Sequence, residues 1–236
     1  MSRQSLKAGV LTAPLPPVMV TVGDMENSNI ITIGWTGILS TNPPRTYISV
    51  RPERHSYGML VDRGEFVINL TRAKQARIVD YVGIYTGAKV DKFKETGLTK
   101  VESKTVSAPT IAECPLALEC RVIDRIPSGT HDIFVAEILS VSVDDEILDE
   151  QGRICLDKAG LLAYCHGEYF ALGEKLGKFG FSTAKKRTQA QKKVSSTIPK
   201  GEDKAQKDKG AYRSAKPRTK NKPKPPFKVK HKGGKK

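Results

Sequence analysis

Residues 116–143, LALECRVIDRIPSGTHDIFVAEILSVSV, decide the fold of this chain. Two apolar runs, Leu116–Ile126 and His131–Val143, are separated only by Pro127-Ser128-Gly129-Thr130, a composition typical of a tight turn. In the second run, apolar side chains recur with a period of two, interrupted only by Glu137, which is the pattern of a β-strand. The alternating residues are Ile133, Val135, Leu139, Val141 and Val143. The stretch therefore predicts a long antiparallel hairpin.

The sequence before this hairpin also favours strands over helices. Further strands are predicted at Val18–Val22, Asn29–Trp35, Thr46–Arg51 and Glu65–Leu70. Short helices are predicted at Arg54–Arg63, Lys74–Tyr81 and Val90–Thr96, the first and last of which end before a glycine. No alternation of strand and helix indicates a parallel sheet, so we predict a mainly β antiparallel barrel with short helices.

The charge of the chain is divided between two regions. Residues 185–236 contain 20 Lys or Arg and three acidic residues, a net charge of +17, whereas residues 1–184 contain 20 basic and 22 acidic residues. The basic region has five prolines and too few apolar residues to offset the entropy of ordering it. We therefore predict one folded domain at 1–184 and a disordered basic tail at 185–236.

The cysteines and the hydropathy indicate a cytoplasmic protein. Cys114, Cys120, Cys155 and Cys165 form no CxxC pair, which favours reduced, buried thiols over a metal site. The first 17 residues lack the apolar core of a signal peptide, and no apolar run reaches the roughly 18 residues of a membrane span.

A candidate anion site lies where the strand Thr46–Arg51 gives way to a helix. Strand alternation places Ser49 and Arg51 on one face, and Pro52 then ends the strand. Arg54, His55 and Ser56 follow at the predicted helix N-terminus, whose free N–H groups attract anions. Guanidinium groups and hydroxyls suit a phosphate. A solvated basic turn would have the same composition, and the residues alone leave both interpretations open.

Three other segments have possible roles in ligand binding. Trp35 stands beside small and hydroxyl-bearing residues, either as a core residue or beside a flat ligand. Lys89 and Lys92 lie three apart on one helix face, which is either solvated or directed into a cofactor site. His166 is close to Glu168 and Tyr169, but no nucleophile is spaced for a catalytic triad.

Together these segments resemble the flavin reductase-like family, which includes flavoredoxins and has the FMN-binding split-barrel fold. The resemblance covers roughly residues 14–183. The matching segments are Trp35-Thr36-Gly37, Ser40–Pro44, Tyr47–Tyr57, Gly64–Leu70, Lys89–Phe93 with Gly97-Leu98, Ala108–Cys120 and His166–Phe181.

The resemblance implies a six-stranded antiparallel split barrel that forms a homodimer and binds one FMN per subunit. It implies that the phosphate is held by Ser49, Arg51, His55 and Ser56, with Arg54 and Tyr57 as further candidates. It implies that the flavin ring lies along Trp35, Thr36, Gly37 and Ser40 and near Asn69 and Leu70. Lys92 and His166 are additional candidates for contacts to the flavin.

The family leaves three functions open. The first is an oxidoreductase in which flavin passes electrons from NAD(P)H or a redox protein to free flavin, ferric iron or a partner protein. A variant of this function is a non-enzymatic electron carrier similar to flavoredoxin. The second is a nucleic-acid-associated protein whose tail binds phosphates non-specifically, although the tail could equally bind an acidic redox partner or only aid solubility. The third is a non-redox module that binds flavin or another small ligand on the same barrel.

Overall fold

The computed structural model describes residues 2–183, and the predicted tail at 185–236 lies outside the described residues. The described strands are β1 Val18–Gly23, β2 Ser28–Ile33, β3 Thr36–Thr41, β4 Pro44–Val50, β5 Glu65–Asn69, β6 Lys100–Val101, β7 Thr110–Ile111, β8 Leu116–Ser128, β9 His131–Val143, β10 Leu162–Cys165 and β11 Glu168–Ala171. The helices are α1 His55–Arg63, α2 Ala76–Ile84 and α3 Lys92–Thr96, with 3-10 turns at Ala73–Gln75, Asp145–Ile147, Leu156–Lys158 and Phe181–Thr183.

One antiparallel sheet of seven strands, in the order β2-β1-β5-β8-β9-β4-β3, forms the body. Strands β2 and β3 are consecutive in the chain yet lie at opposite edges of this sheet, because the chain crosses between the edges at Gly34-Trp35. The backbone N–H of Ser49 in β4 donates to the carbonyl of Trp35 at 3.0 Å, which extends the β3–β4 ladder up to the crossing, and β2 contacts β4 there so that the sheet closes into a barrel. The predicted split barrel is confirmed, and its six strands become seven because β2 and β3 are separated by this break.

The barrel interior is filled by alternate residues of its strands, as the period-two pattern requires. Its largest fully buried side chains include Phe66, Phe134, Ile48 and Leu60. A second cluster lies beneath α2 and α3 and contains Met19, Ile30, Val79, Val82 and Phe93. The side chains of β1 therefore serve both cores, because Val18, Val20 and Val22 face the first and Met19 the second.

The predicted long hairpin is confirmed as β8 and β9, which pair from Leu116 with Val143 to Ser128 with His131. Its turn is Gly129-Thr130, and Gly129 takes a φ of 64°, which glycine adopts without strain. The alternating face that includes Ile133 and Val135 is not the core face. Phe134, Ala136 and Ile138 pack in the barrel instead, while Leu139 and Val141 are exposed.

The predicted helices are present with shifted ends. Gly64 and Gly97 end α1 and α3 in the left-handed conformation, as expected of a glycine after a helix. The predicted helix at Lys74–Tyr81 is a 3-10 turn followed by α2, and α3 begins at Lys92 because Asp91 caps it by accepting from the N–H of Lys94 at 3.2 Å. Within residues 2–183, no helix is long and apolar enough to cross a membrane.

All four cysteines are free thiols, but only two of them are buried as predicted. Burial raises the pKa of the Cys114 thiol and of the Cys120 thiol to about 12 in each case. Cys155 and Cys165 are only half-buried.

Candidate functional site

Two adjoining cavities lie between the barrel edge and α2. The larger has a volume of about 730 Å³ and the smaller about 290 Å³. Both are lined by Ile31, Arg51, Arg54 and Gly83, so the two arginines stand at the junction. We refer to the pair of cavities as the cleft.

The floor of the larger cavity is the end of β2 and the crossing that follows it, residues 31–35. Helix α2 packs closely beside this floor, because the hydroxyl of Thr32 donates to the carbonyl of Val79 at 2.5 Å. A Cβ on Gly83 would lie 3.2 Å from the Cβ of Thr32, so the absence of a side chain at Gly83 allows this approach. Helix α2 and the end of β2 are therefore held close together at this point of the cleft wall.

The smaller cavity lies at the N-terminus of α1, where the sequence predicted an anion site. Among residues 2–183, no acceptor is hydrogen-bonded to the backbone N–H of His55 or Ser56, and no acidic residue lies in the first turn of α1. The positive end of the helix dipole is therefore directed at the cavity, which is also lined by the Glu53 carboxylate at 3.3 Å from the Arg51 guanidinium. The Ser56 hydroxyl accepts from Asn29 Nδ2 at 2.8 Å, and the Arg54 guanidinium donates to the carbonyl of Gly83 at 3.4 Å.

Trp35 and His131 form one side of the larger cavity. Their ring centroids are 4.4 Å apart with an interplanar angle of 54°, and 38% of Trp35 remains exposed. Burial lowers the pKa of His131, and the nearby positive charges of Arg51 and Arg54 lower it further against the opposing effect of Glu53. The imidazole therefore stays neutral at pH 7, with Nδ1 2.9 Å from the Thr130 hydroxyl.

Lys92 contributes a buried cation to the wall of the smaller cavity. Its residue is only 4% exposed, and its ammonium group donates to the carbonyls of Ile30 and Val82 at 2.7 Å each. The Val82 carbonyl lies in the last turn of α2, where helix carbonyls lack a partner and favour a cation. Burial lowers the pKa of Lys92 to about 8, with the charge of Arg54 acting in the same direction.

The tip of the β10–β11 hairpin forms the opposite side of the larger cavity. Tyr164, His166, Gly167 and Tyr169 of this hairpin all line it. The turn residues His166 and Gly167 take φ angles of 48° and 94°, the pattern of a type I′ hairpin turn. Among the described residues, His166 is the only one other than glycine with a positive φ.

Eight of the residues predicted from sequence line the cleft. They are Trp35, Ser49, Arg51, Arg54 and His166 in the larger cavity, and Arg51, Arg54, His55, Ser56 and Lys92 in the smaller. Ser49 lies on the face of β4 opposite the buried Ile48 and Val50, as alternation predicted, and Arg51 directly follows the end of this strand.

The structure does not bring the remaining six candidates into the cleft. Thr36 donates to the Tyr47 carbonyl at 2.6 Å, Gly37 packs against the Tyr47 ring, and Ser40 lies further along β3. Tyr57 donates to Asp132 at 2.5 Å and packs edge-on against Phe134. Asn69 is fully buried and bonds to the backbone of Met19 and Ile111, while Leu70 packs against the barrel core.

Several cleft residues were not predicted from the sequence. They are Asn29, Asp80, Gly83, Gly87, His131, Tyr164 and Tyr169. His131 reaches the cleft because β9 pairs with β4, which sets Asp132 opposite Val50 beside Arg51. The Pro/Ser/Gly/Thr turn before His131 marks a strand end. This turn was the feature of the sequence that could have indicated His131 as a cleft residue.

The fold and the cleft define a split-barrel protein with a basic pocket at the N-terminus of α1 beside an elongated, partly aromatic cavity. Comparison with known proteins identifies the family. Residues 11–173 match the model of the "Flavin reductase like domain", and the chain belongs to that family.

Two solved structures and one uncharacterised relative are also similar to this chain. Flavoredoxin of Desulfovibrio vulgaris (Miyazaki F) is 33% identical with a TM-score of 0.72, and the match covers 78% of this chain and all of that one. Flavoredoxin from Methanosarcina acetivorans is 25% identical with a TM-score of 0.70 over the same shares. An uncharacterised protein of Archaeoglobus fulgidus is 35% identical over 58% of this chain and 76% of its own length.

Proposed function

We propose that the chain is an FMN-dependent oxidoreductase that passes electrons from NAD(P)H or a redox protein to flavin, ferric iron or a partner protein. The observation that carries the proposal is the junction of the two cavities at Arg51 and Arg54. It joins a space suited to a flat ring system to a pocket suited to a terminal phosphate.

The smaller cavity fits the phosphate of FMN. The free N–H groups of His55 and Ser56 and the dipole of α1 supply donors and positive potential. Arg51 and Arg54 add guanidinium donors, and the buried Lys92 adds a nearby charge. Hydrogen bonds to a charged group contribute about 1.5–3 kcal/mol each, so a phosphate bound here would supply much of the binding free energy.

The larger cavity fits the flavin ring. Trp35 and His131 on one side and Tyr164 and His166 on the other supply aromatic surfaces, and the backbone of residues 31–35 offers polar groups to a ring edge. Bound flavin supplies the hydride and electron chemistry, while these residues orient it and limit its contact with water. The proposed FMN-binding set is Asn29, Trp35, Ser49, Arg51, Arg54, His55, Ser56, Lys92, His131, Tyr164 and His166.

Similar proteins favour FMN as the flavin. One solved structure is described as an FMN-binding protein from Thermus thermophilus with bound 1-cyclohex-2-enone, and it is 27% identical with a TM-score of 0.64. FMN ends in a phosphate, which matches a single anion pocket at the end of the cleft.

Fluorescence of Trp35 provides a direct test of FMN binding, because it is the only tryptophan of the chain and it lines the larger cavity. Addition of FMN to flavin-free protein should quench this emission with saturation at one FMN per chain. An unquenched emission in excess FMN, with no flavin absorbance retained after gel filtration, would refute the proposal.

The electron donor separates an enzyme from an electron carrier. The sequence has no glycine-rich dinucleotide fingerprint on a βαβ unit, so a nicotinamide would have to bind transiently at the flavin. Anaerobic mixing of the FMN-loaded protein with NADH or NADPH should bleach the flavin absorbance rapidly in a reductase. No bleaching by either nucleotide, combined with reduction by a redox protein, would favour a carrier similar to flavoredoxin.

We also propose that the protein is a cytoplasmic homodimer. Exposed apolar side chains lie on β3, β8 and β9 of one sheet, and surfaces of this kind mark protein interfaces. They are Ile38, Leu39, Ile123, Ile126, Leu139 and Val141. Four free thiols are consistent with a reducing compartment.

The charge of residues 185–236 favours a second, independent role. A net charge of +17 binds polyanions with a steep salt dependence, so we propose non-specific binding of nucleic acid through this segment. Deletion of residues 185–236 should abolish retention on RNA and DNA at low salt without changing FMN binding. Retention of an acidic redox protein but not of nucleic acid would instead assign the segment to an acidic partner.

A further inference from the structure

The β10–β11 hairpin is attached to the rest of the protein on both sides of the cleft mouth. On one side, Leu15 and Tyr164 exchange two backbone hydrogen bonds of 2.9 Å. On the other, the hydroxyl of Tyr169 donates to Asp80 Oδ1 on α2 at 3.2 Å, a contact between residues 89 positions apart. The second contact is between side chains only and is solvent-exposed, so it can open without disturbing the sheet.

Both partners of this contact line the larger cavity. Asp80, Gly83 and Ile84 lie on one face of α2, three and four residues apart, and that face borders the cavity. The Tyr169 ring packs against the cluster beneath α2 and edge-on against Tyr164 at 5.4 Å. The ring is therefore held by packing against the cluster that includes Val79 and Val82 of α2, and among the described residues its hydroxyl makes the one hydrogen bond between the hairpin and the helix.

The backbone at the tip of the hairpin supports a role beyond packing. His166 and Gly167 form the type I′ turn of the hairpin, which sets their backbone locally, and both residues line the cavity. The position of this tip over the cavity depends on how the hairpin is attached at its base. Burial and the charge of Asp80 raise the pKa of Tyr169 to about 12, so its hydroxyl stays protonated and remains a donor at neutral pH.

We propose that Tyr169 and Asp80 are positioning residues, whose hydrogen bond holds the His166-Gly167 tip over the cleft and thereby slows the dissociation of bound flavin. This inference rests on the proposed FMN binding and adds a determinant of how long the flavin remains bound. It does not require either residue to contact the flavin.

Three variants separate the hydrogen bond from charge and packing. Tyr169→Phe keeps the ring and removes the donor, Asp80→Ala removes the acceptor, and Asp80→Asn keeps an acceptor oxygen without the charge. Tyr57→Phe is the matched control, because it removes a tyrosine–aspartate hydrogen bond that lies outside the cleft.

Loss of the Tyr169–Asp80 hydrogen bond should raise the FMN dissociation rate constant about 2- to 12-fold in Tyr169→Phe and Asp80→Ala, the range expected for one hydrogen bond. Asp80→Asn and Tyr57→Phe should resemble the wild type.

A second measurement needs no flavin. Acrylamide quenching of Trp35 in the flavin-free protein reports access to the cleft, and it should increase in Tyr169→Phe and Asp80→Ala only. If wild-type protein fails to bind FMN, the proposed function fails while this quenching measurement still tests the contact. Wild-type dissociation and quenching in Tyr169→Phe, or an equal change in Tyr57→Phe, would overturn the proposal.

Discussion

Replacement of Gly87 by alanine should deform the smaller cavity while leaving the fold intact. A Cβ at this position would lie 2.3 Å from Asn29 Oδ1 and 2.7 Å from its Nδ2. Asn29 is only 5% exposed and donates to the Ser56 hydroxyl at 2.8 Å, so its amide can move only by breaking that bond. Gly87 itself has no positive φ, and the backbone therefore accepts alanine.

The expected loss follows from two effects. Overpacking of this kind costs about 1–3 kcal/mol, and the lost hydrogen bond adds about 0.5–1.5 kcal/mol. Because the strain falls on the wall of the proposed phosphate pocket, most of it should appear in ligand binding. We expect FMN to bind at least about tenfold more weakly, since tenfold corresponds to about 1.4 kcal/mol.

Titration of Trp35 emission with FMN measures this change. Gly58→Ala is the matched control, because Gly58 lies in α1 beside the same pocket but a Cβ there would meet nothing within 4 Å. Alanine in a helix should stabilise this control by up to about 1 kcal/mol without changing FMN affinity. Unchanged affinity in Gly87→Ala, with thermal unfolding showing an intact fold, would mean that the flavin phosphate binds elsewhere.

Three further predictions concern charge, buried polar groups and assembly. Arg51→Ala should weaken FMN binding by about 1.5–3 kcal/mol, measured by the same titration, whereas Arg121→Ala on the far side of the sheet should not. Lys92→Met should lower the free energy of unfolding by about 1–3 kcal/mol at pH 7 in urea, because two buried carbonyls lose their donor. Burial lowers the folded pKa of Lys92 from its ordinary value of 10.5 to about 8, so the unfolded chain binds more protons between these two values. Wild-type stability relative to Lys92→Met should therefore rise from pH 8 to 10.5, and a flat difference would argue against this pKa. Val141→Lys should shift the protein from dimer to monomer in sedimentation velocity, because it places a charge in the proposed apolar interface.

Local signals in the sequence predicted most of the secondary structure. The turn at Gly129-Thr130 and the period-two pattern on either side identified the β8–β9 hairpin, and Gly64 and Gly97 marked the ends of two helices. The strands β3, β6, β7, β10 and β11 were not predicted, and of these β3 at Thr36–Thr41 has no alternating pattern of its own. It forms because its backbone pairs with β4 and runs along the sheet edge.

Strand β9 shows where periodicity was insufficient. Both of its faces carry apolar residues, so alternation could establish a strand but could not identify the face that packs in the barrel. Phe134 and Ala136 are buried because β9 lies between β4 and β8 with those side chains directed inward. The opposite face, including Val141, remains exposed in the single chain.

Lys92 shows a similar limit at the candidate site. Its spacing from Lys89 is typical of a solvated helix face, yet its ammonium group is buried between the carbonyls of β2 and α2. The packing of α2 against β2 creates that environment, and neither segment is near Lys92 in sequence.

The sequence by itself determined the antiparallel β class, the ends of two helices at Gly64 and Gly97 and the basic segment from Ser49 to Ser56, because each depends on interactions among residues close together in the chain. Only the tertiary structure decided which side chains meet that segment. Asn29, His131 and Tyr164 reach the cleft through strand pairing and barrel closure, which join residues tens of positions apart. Those contacts form where burial of apolar surface outweighs the entropy of closing long loops, and this balance is a property of the whole fold.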